Sequence, residues 1–344
     1  MTQYIGVKEL GQLVGTMGPR RFLRRLVDYL AEDFSRWETF DKVPRVASHS
    51  PIGVIELMPT SDGSLYSFKY VNGHPGNPKQ GKLTVTAFGV LSDVATGYPL
   101  LISEMTLLTA LRTAATSAYA AKLLARSESR VMALIGAGAQ SEFQTLAFQE
   151  LLGIREIVVF DPDPAAVEKY MGNAAAFGVA MRAASSAAEA VSDADIVTVC
   201  TAVKGRQAII SRDMLKPGVH INAIGGDCPG KTELNRDVLD SAEVFVEFAP
   251  QTRIEGEIQQ MGAEFGVTEL WEVETGRKAG RTNAGAVTVF DSVGFAIEDF
   301  SALRLVHDLM EGRGKRLDLV PDLDDPKNLY GALLGGVEMG MRVA

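Results

Sequence analysis

The stretch Val131–Ser141, VMALIGAGAQS, decides the fold. Its five leading apolar residues predict a buried parallel strand that ends at Gly136, and a helix-like run begins at about Ser141. Glycines at Gly136 and Gly138 let the backbone approach a pyrophosphate, while the free N–H groups of the helix point at the anion. Ser141 stands where the fingerprint G-x-G-x-x-G/A has glycine or alanine, but serine is small enough for close packing of strand and helix.

A second strand strengthens the prediction of a nucleotide site. Glu156–Phe160, EIVVF, precedes Asp161, and an acid about 20 residues beyond the glycines is placed to accept hydrogen bonds from ribose hydroxyls. Pro162, Asp163 and Pro164 follow, so a 2′-phosphate would meet no cation. We therefore predict NAD rather than NADP. The alternative is a purely structural strand–turn–helix in which Asp161 is an ordinary capping acid.

Composition limits the class of protein. A chain of 344 residues, 46% of them hydrophobic, predicts two domains, and a net charge of −9 argues against a nucleic-acid surface. The N-terminus lacks the pattern of a signal peptide, and no apolar run reaches the roughly 18 residues of a membrane helix. Cys200 and Cys228 read as reduced thiols, and the histidines show no metal-binding spacing. We expect a cytoplasmic protein without a membrane partner or a metal.

The N-terminal part predicts a domain of its own. Val7–Tyr29 reads as two helical segments broken near Gly18, and Pro44–Tyr98 as an antiparallel sheet because Gly, Pro, Asn and Asp separate its apolar segments. A hairpin connection is predicted at 95–97. Ser103–Ala125 predicts a long helix, with Ser103 as its N-cap and an acid, Glu104, in its first turn.

From Val131 to Met310, predicted strands alternate with predicted helices. This pattern is typical of an α/β protein with a doubly wound, Rossmann-type parallel sheet. Ligands of such sheets lie beyond the carboxyl ends of strands. The strand-end candidates are Thr201, Gly225, Gly226, Asp227, Asp291 and Ser292. Asp227 follows a glycine pair and would place a carboxylate beside the nicotinamide, although the same pattern occurs in simple turns.

Three cations stand in otherwise apolar surroundings: Arg45, Lys69 and Arg112. A cation in such a place is usually paired or binds an anion, because an unpaired buried charge is costly. Glu56 in VIELM is similarly placed, as a substrate-binding group or as the partner of one of these cations. The residues alone leave the choice between anion binding and structural ion pairs open.

Several runs together resemble the bacterial enzymes of the ornithine cyclodeaminase/mu-crystallin family. They extend in order from Arg45 to Asp299 and read RVASHS, IELMP, FKYVNGHP, ALRTAATS, LIGAGAQSEFQ, NAIGGDCPGKTEL, PQTRIEGEIQQ and VFDSVGFAIED. The resemblance implies conversion of L-ornithine to L-proline and ammonia, by internal hydride transfer through tightly bound NAD. It also implies a homodimer. Residues 1–112 with 311–344 would form a substrate-binding and dimerisation domain of α+β type, and residues 113–310 the NAD-binding domain.

The resemblance also assigns roles to residues. Arg45, Lys69 and Arg112 match positions that hold the substrate carboxylate, Val293 a substrate contact, and Asp227 the catalytic acid and base. Together with the glycines of the fingerprint, the expected cofactor-binding residues are Thr84, Arg112, Gly136, Gly138, Ala139, Gln140, Asp161, Thr201, Ile224, Gly225, Gly226, Asp227, Lys231 and Ser292.

Other activities remain open on the same scaffold. They are a lysine cyclodeaminase, a cyclic-imine reductase, an alanine dehydrogenase, or a nucleotide- and ligand-binding protein of the mu-crystallin kind. Ornithine and lysine differ by one methylene, which is worth only about 1–3 kcal/mol of discrimination in a pocket.

Overall fold

The computed structural model describes residues 1–202, 205–310 and 313–333. Its strands are β1 (Thr2–Ile5), β2 (Asp41–Lys42), β3 (Val46–Ser50), β4 (Gly53–Ser61), β5 (Leu65–Gly73), β6 (Val85–Asp93), β7 (Pro99–Glu104), β8 (Val131–Ile135), β9 (Glu156–Phe160), β10 (Ala180–Ala183), β11 (Ile196–Val199), β12 (Arg206–Ile210), β13 (His220–Ala223), β14 (Thr232–Leu234), β15 (Glu243–Val246), β16 (Thr268–Glu269), β17 (Thr288–Asp291) and β18 (Lys315–Leu317). Its α-helices are α1 (Val7–Met17), α2 (Pro19–Ser35), α3 (Thr106–Leu124), α4 (Ser141–Leu152), α5 (Pro164–Ala174), α6 (Ala187–Val191), α7 (Arg236–Asp240), α8 (Ala249–Glu255), α9 (Leu270–Glu274) and α10 (Ala296–Leu309).

The first sheet has the strand order β18-β1-β7-β6-β5-β4, and β2 and β3 both pair with β4. All its pairings are antiparallel except that of β1 with β7, so the predicted antiparallel sheet is confirmed. The hairpin predicted at 95–97 does join β6 to β7.

Side chains alternate across this sheet. Along β5, Lys69 and Val71 are buried on the face that packs against α10, whereas Phe68 and Tyr70 lie on the other face and are partly exposed. The register places Tyr70 opposite Phe88 of β6, and the two rings stack with their centroids 5.2 Å apart. The inner face of the sheet therefore carries a lysine into the protein interior.

The second sheet has the order β10-β9-β8-β11-β13-β17-β15-β16 and is parallel throughout. This confirms the predicted doubly wound α/β fold. Chain order reverses at β8, which has β9 on one side and β11 on the other, and such a reversal opens a crevice for a ligand. The strand β16 and the small parallel pair β12 and β14 were not predicted from the sequence.

The predicted start of the long helix was wrong. Ser103 and Glu104 continue β7, because Ser103 pairs with both Ile5 and Gly89, and the helix α3 begins only at Thr106. Ser103 therefore does not cap the helix. Glu104 does serve its N-terminus, since its Oε1 accepts a hydrogen bond from the N–H of Leu107 at 2.8 Å.

The last long helix also begins later than predicted, at Ala296 rather than Ser292. The four residues between β17 and α10 form a bend, in which Gly294 has a φ of +74°. A Cβ at Gly294 would lie 2.6 Å from the guanidinium of Arg112, so glycine is required here for both conformation and space. The bend puts residues 292–295 beyond the strand end rather than in a helix.

Two helices connect the sheets. The helix α3 leads from β7 to β8, and α10 leads from β17 back toward β18 while packing on α2, β4, β5 and β6. The predicted domain boundary between residues 112 and 113 lies within α3. Residues 311, 312 and 334–344 of the predicted first domain lie outside the described residues, and the division into domains stays a prediction. Within the described ranges, no helix combines the length and apolarity needed to cross a membrane.

A buried acid fastens α2 to α10. Asp33 is fully buried and accepts hydrogen bonds from Arg36 and from the hydroxyl of Ser301, at 2.6 Å, and it lies 3.1 Å from Arg304. Burial raises the pKa of Asp33 and outweighs the opposing effect of the two arginines.

We expect Asp33→Ala to lower the free energy of unfolding by about 1–3 kcal/mol, because it leaves Ser301 and two partly buried arginines without this buried acceptor. Glu32→Ala is the matched control: this neighbour contacts Arg304 from an exposed position, and its loss should cost less than about 1 kcal/mol. Chemical denaturation followed by two spectroscopic probes measures both variants. Equal losses of unfolding free energy in the two variants would contradict the conclusion that Asp33 is the main polar contact between α2 and α10.

Candidate functional site

The turn after β8 has the geometry of a nucleotide-binding loop. Gly136 has a φ of +103°, and a Cβ there would lie 2.9 Å from the carbonyl oxygen of Cys200. Only glycine satisfies both constraints. The N–H of Gly136 donates to the carbonyl of Phe160 at 2.9 Å, which ties the loop to the end of β9.

Three N–H groups of this loop fit a phosphate. Among the described residues, no acceptor takes a hydrogen bond from the backbone N–H of Gly138, Ala139 or Gln140, and these three precede the first turn of α4. A Cβ at Gly138 would meet nothing within 4 Å, so the space in front of the loop is open. Unpaired N–H groups at a helix N-terminus are a ready anion site, and the residues present therefore fit a pyrophosphate.

Asp161 supports the loop directly. Its Oδ2 accepts a hydrogen bond from the N–H of Ala137 at 2.8 Å, and its Oδ1 accepts one from the N–H of Asp163 at 2.9 Å. A pocket of about 450 Å³ lies beside it, lined by Phe160, Asp161, Pro162, Pro164, Val167, Ala183, Ala184 and Ser185. No basic side chain is in this lining, so the pocket suits an adenosine without a 2′-phosphate.

A second cluster lies at the ends of β11 and β13. Lys231 Nζ donates to the carbonyl of Thr201 at 3.1 Å and lies 3.4 Å from Asp227 Oδ1, and the hydroxyl of Thr201 donates to Glu233. Burial raises the pKa of Glu233 to about 7. A Cβ at Gly225 would collide with the Glu233 carboxylate, so glycine at this position lets the acid lie against the turn.

Asp227 is the open member of this cluster. Its side chain is 57% exposed, against 8% for that of Lys231. It is nevertheless close enough to Arg45 and Glu255 to affect the pKa of each. The structure therefore places the predicted catalytic carboxylate at the surface of the crevice, near Arg45.

Arg45 is buried against three carboxylates. Its Nη1 donates to Glu56 at 3.1 Å, its Nε lies 3.0 Å from Glu255, and Asp227 adds a further negative charge nearby. Its Nη2 donates to the carbonyls of Val293 and Gly294, at 2.5 and 2.8 Å. Arg45 thus fixes the bend after β17. Burial and the charges of Glu56 and Asp227 raise the pKa of Glu255 to about 7.

Lys69 and Arg112 form the core of a second charged group. Lys69 Nζ lies 2.7 Å from Asp299 Oδ2, and Arg112 lies 2.5 Å from Glu298 and 3.0 Å from Asp299. Both cations are nearly inaccessible. Arg112 Nη2 has no partner among the described residues, and Lys69 contacts only one carboxylate, so both retain N–H groups for an anion. Burial, with the charge of Arg112, lowers the pKa of Lys69 to about 8.

The remaining predicted residues are placed as follows. Ser292 donates to Glu247 at 2.5 Å, and the N–H of Ile224 donates to the carbonyl of Val199. Val293 is buried at the bend. Thr84 lies just before β6, where its carbonyl accepts from the N–H of His74, and no described hydrogen bond joins it to the strand ends.

The sequence analysis missed the acids that face the cations: Glu247, Glu255, Glu298 and Asp299. The signal was present, since VGFAIEDF puts two acids within an apolar run, as with the three cations. Among the described residues, no group of three His, Cys, Asp or Glu side chains could hold a metal ion.

Comparison with known proteins points to one family. The model of the ornithine cyclodeaminase/mu-crystallin family matches residues 8–314. The ornithine cyclodeaminase of Agrobacterium fabrum is 60% identical over 333 residues, covering 96% of this chain and 94% of the relative.

Two solved structures share the fold over nearly their whole length. A lysine cyclodeaminase, studied for its recognition of L-lysine, L-ornithine and L-2,4-diaminobutyric acid, has a TM-score of 0.88 and 31% identity over 96% of this chain and 98% of that chain. An archaeal alanine dehydrogenase dimer with bound NAD has a TM-score of 0.85 and 30% identity, covering 93% and 99% respectively. Since the family model spans most of the sequence and a relative is 60% identical over almost all of it, the chain belongs to the ornithine cyclodeaminase/mu-crystallin family.

Proposed function

We propose that this protein is an ornithine cyclodeaminase that converts L-ornithine to L-proline and ammonia, with NAD bound at the loop that follows β8 in the second sheet. The observation that carries the proposal is the division of charge around the bend between β17 and α10. Lys69 and Arg112 offer free N–H groups in one part of the site, and three carboxylates surround Arg45 in the other. The identity to named ornithine cyclodeaminases supports the same substrate.

The substrate carboxylate belongs with Lys69 and Arg112. Arg112 can offer its Nη2 edge and Lys69 its remaining N–H groups, in a site from which water is largely excluded. Arg45, whose Nη2 already binds two carbonyls, contributes mainly by its charge and by holding the bend at Val293. Fixing the carboxylate fixes Cα, and near-attack geometry of this kind is worth roughly 7–11 kcal/mol of barrier.

The distal ammonium belongs with Asp227, Glu56 and Glu255. Burial, together with the charges of Glu56 and Asp227, raises the pKa of Glu255, and a bound ammonium would stabilise the charged form of these acids. An alanine dehydrogenase has no need of such a group, because its substrate has no second amine. The acids therefore favour a diamino acid over alanine.

Asp227 moves the protons of the reaction. When bound, NAD would take the hydride of Cα, which leaves an α-imino acid, and would return it to the same carbon after ring closure, so the overall conversion needs no external oxidant. Asp227 accepts a proton from the δ-ammonium, which frees the lone pair of the δ-nitrogen to attack Cα of the imino acid and close the ring. It then returns the proton to the departing α-amine, and ammonia leaves. Lys231 keeps Asp227 oriented toward the crevice.

We expect the purified protein to form proline and ammonia in equal amounts from L-ornithine with only catalytic amounts of NAD. Ammonia release and amino-acid analysis measure this, with L-lysine and L-alanine as comparison substrates. Stoichiometric accumulation of NADH would instead indicate a dehydrogenase, and absence of turnover with every amino acid would leave a binding protein.

Asp227→Asn should lower kcat by about 10²–10⁴-fold while NAD binding persists, because the amide cannot take up the δ-ammonium proton. Asp240→Asn is the matched control: it makes the same change at an acid of similar exposure, 55% against 57%, away from the site. Steady-state kinetics and NAD titration measure both variants. Turnover of Asp227→Asn at the rate of the control would remove Asp227 from the mechanism.

We also propose that the protein is a cytoplasmic homodimer. The outer face of the first sheet exposes a row of apolar side chains, including Ile55, Leu57 and Phe88, each more than 40% exposed. Continuous exposed apolar faces of this kind are typical of interfaces. The two cysteines, Cys200 and Cys228, are free, which fits a reducing compartment.

Phe88→Glu should convert the dimer to a monomer, because it puts a charge at the centre of this apolar face. Val7→Glu changes an apolar residue of even greater exposure on α1 and should leave the dimer intact. Light scattering after size-exclusion chromatography measures the mass, and circular dichroism checks the fold. A wild-type protein at the monomer mass of 37.0 kDa would contradict the dimer.

A further inference from the structure

Asp299 is a buried acid of α10 that contacts two of the substrate cations at once. Its Oδ1 and Oδ2 lie 2.9 and 2.7 Å from Lys69 Nζ, and its Oδ1 lies 3.0 Å from Arg112 Nε. It is 1% exposed. One carboxylate therefore bridges two cations that come from different elements, β5 and α3.

This bridge decides where the two cations point. A lysine has a flexible four-carbon stem and a compact charge, so its ammonium takes its position from its partners. For Lys69 the sole hydrogen-bond partner among the described residues is Asp299. Arg112 is held at Nε by Asp299 and at Nη1 by Glu298, which turns its Nη2 edge toward the free side.

We propose that Asp299 is a positioning residue of the substrate site: it keeps Lys69 charged and aligns it with Arg112, so that both receive the substrate carboxylate. This rests on the proposed amino-acid substrate. Asp299 itself contacts cations and no substrate, so its effect is on substrate binding through Lys69.

Electrostatics supports a requirement for this acid. The charged groups around Lys69 are Arg112 from α3, Asp299 and Glu298 from α10, Arg45 before β3, Glu247 at the end of β15, and Glu56 on the same face of β4. Burial lowers the pKa of Lys69 to about 8, the charges of Arg112 and Arg45 act in the same direction, and Asp299 opposes them. Without Asp299 the lysine would lose its proton at lower pH and could no longer bind a carboxylate as a cation.

The acid next to Asp299 provides a contrast. Glu298 contacts Arg112 but makes no described contact with Lys69. Burial and the charges of Glu247 and Asp299 raise the pKa of Glu298 to about 8, so Glu298 is largely protonated near neutral pH. It therefore does not cancel the positive charge of Arg112. The two neighbouring acids thus have separate tasks.

The test compares the KM for L-ornithine of Asp299→Asn with that of the wild type from about pH 6 to about pH 8. We expect the ratio to increase with pH and to reach at least about tenfold, the usual loss for one charge-assisted contact. The titration of the substrate itself cancels in this ratio. The Ki of 1,4-diaminobutane, which keeps the distal ammonium but lacks the carboxylate, should stay within about twofold of wild type.

Two further variants separate charge from structure. Glu298→Gln leaves Lys69 with its partner, so between about pH 6 and pH 7, where Glu298 itself is largely protonated, the ratio of its KM to that of the wild type should stay constant. Asp299→Glu keeps the charge, so any rise in KM should be independent of pH; this variant carries the test if Asp299→Asn does not fold.

The proposal would be overturned if Asp299→Asn left the KM for L-ornithine unchanged, or if it weakened binding of ornithine and of diaminobutane equally at every pH. A ratio of KM values that depends on pH in Asp299→Glu would also overturn it. A wild-type protein that turns over no amino acid would contradict the proposed function instead, so the two failures are distinguishable.

Discussion

The ion pairs that Lys69 and Arg112 make with the acids of α10 are the interaction on which the rest of the structure depends. Moving a charge out of water costs several kcal/mol even after relaxation, so neither cation can stay inside without a carboxylate. Both carboxylates stand on one helix, and that helix starts at the nucleotide-binding sheet and packs on the first sheet. The packing of α10 on the first sheet and the pairing of its acids with Lys69 and Arg112 therefore depend on each other.

The same arrangement explains the bend before α10. Arg45 holds the carbonyls of Val293 and Gly294, and Gly294 leaves room for the guanidinium of Arg112. A side chain at this position would collide with Arg112 and would also strain a left-handed backbone. The end of β17 is thus joined to the segment before β3 by the hydrogen bonds of Arg45, and Gly294 packs against Arg112 of α3. The proposed substrate site lies at this junction, to which elements of both sheets contribute.

Local patterns in the sequence predicted the turns and strand ends, which depend on residues close to one another in the chain. Gly136 was predicted from the glycine spacing, and the turn does require glycine there. Asp161 and Asp227 were predicted from strand ends, and their roles in binding and catalysis stay predictions. Ser103 was wrongly predicted as a helix cap, since pairing with Ile5 and Gly89 extends the strand through it. That outcome depends on a partner strand nearly 100 residues away in the chain, which no local pattern reveals.

Partners distant in sequence were the least predictable. Lys69 and Asp299 are separated by 230 residues, and nothing near either one indicates the other. The apolar surroundings showed that the three cations needed partners, but left open whether these were a substrate or protein acids. The structure shows that protein acids supply part of the pairing and leave some N–H groups free. Thr84 came only from the resemblance, and its cofactor contact stays a prediction.

The distribution of charge gives the site a direction. Around Arg45 and Lys231, the three acids Glu56, Asp227 and Glu255 outnumber the two cations. Lys69 and Arg112 contact two acids, Asp299 and Glu298, and the raised pKa of Glu298 keeps that acid largely neutral. An amino acid with a second amine carries the opposite arrangement, with its carboxylate at one end and an ammonium at the other. Reversing it would place the carboxylate among acids and the ammonium beside cations, which is unfavourable at both ends. For the proposed diamino-acid substrate, this distribution of charge favours one orientation, and with it one face of Cα toward the nucleotide, before any group moves a proton.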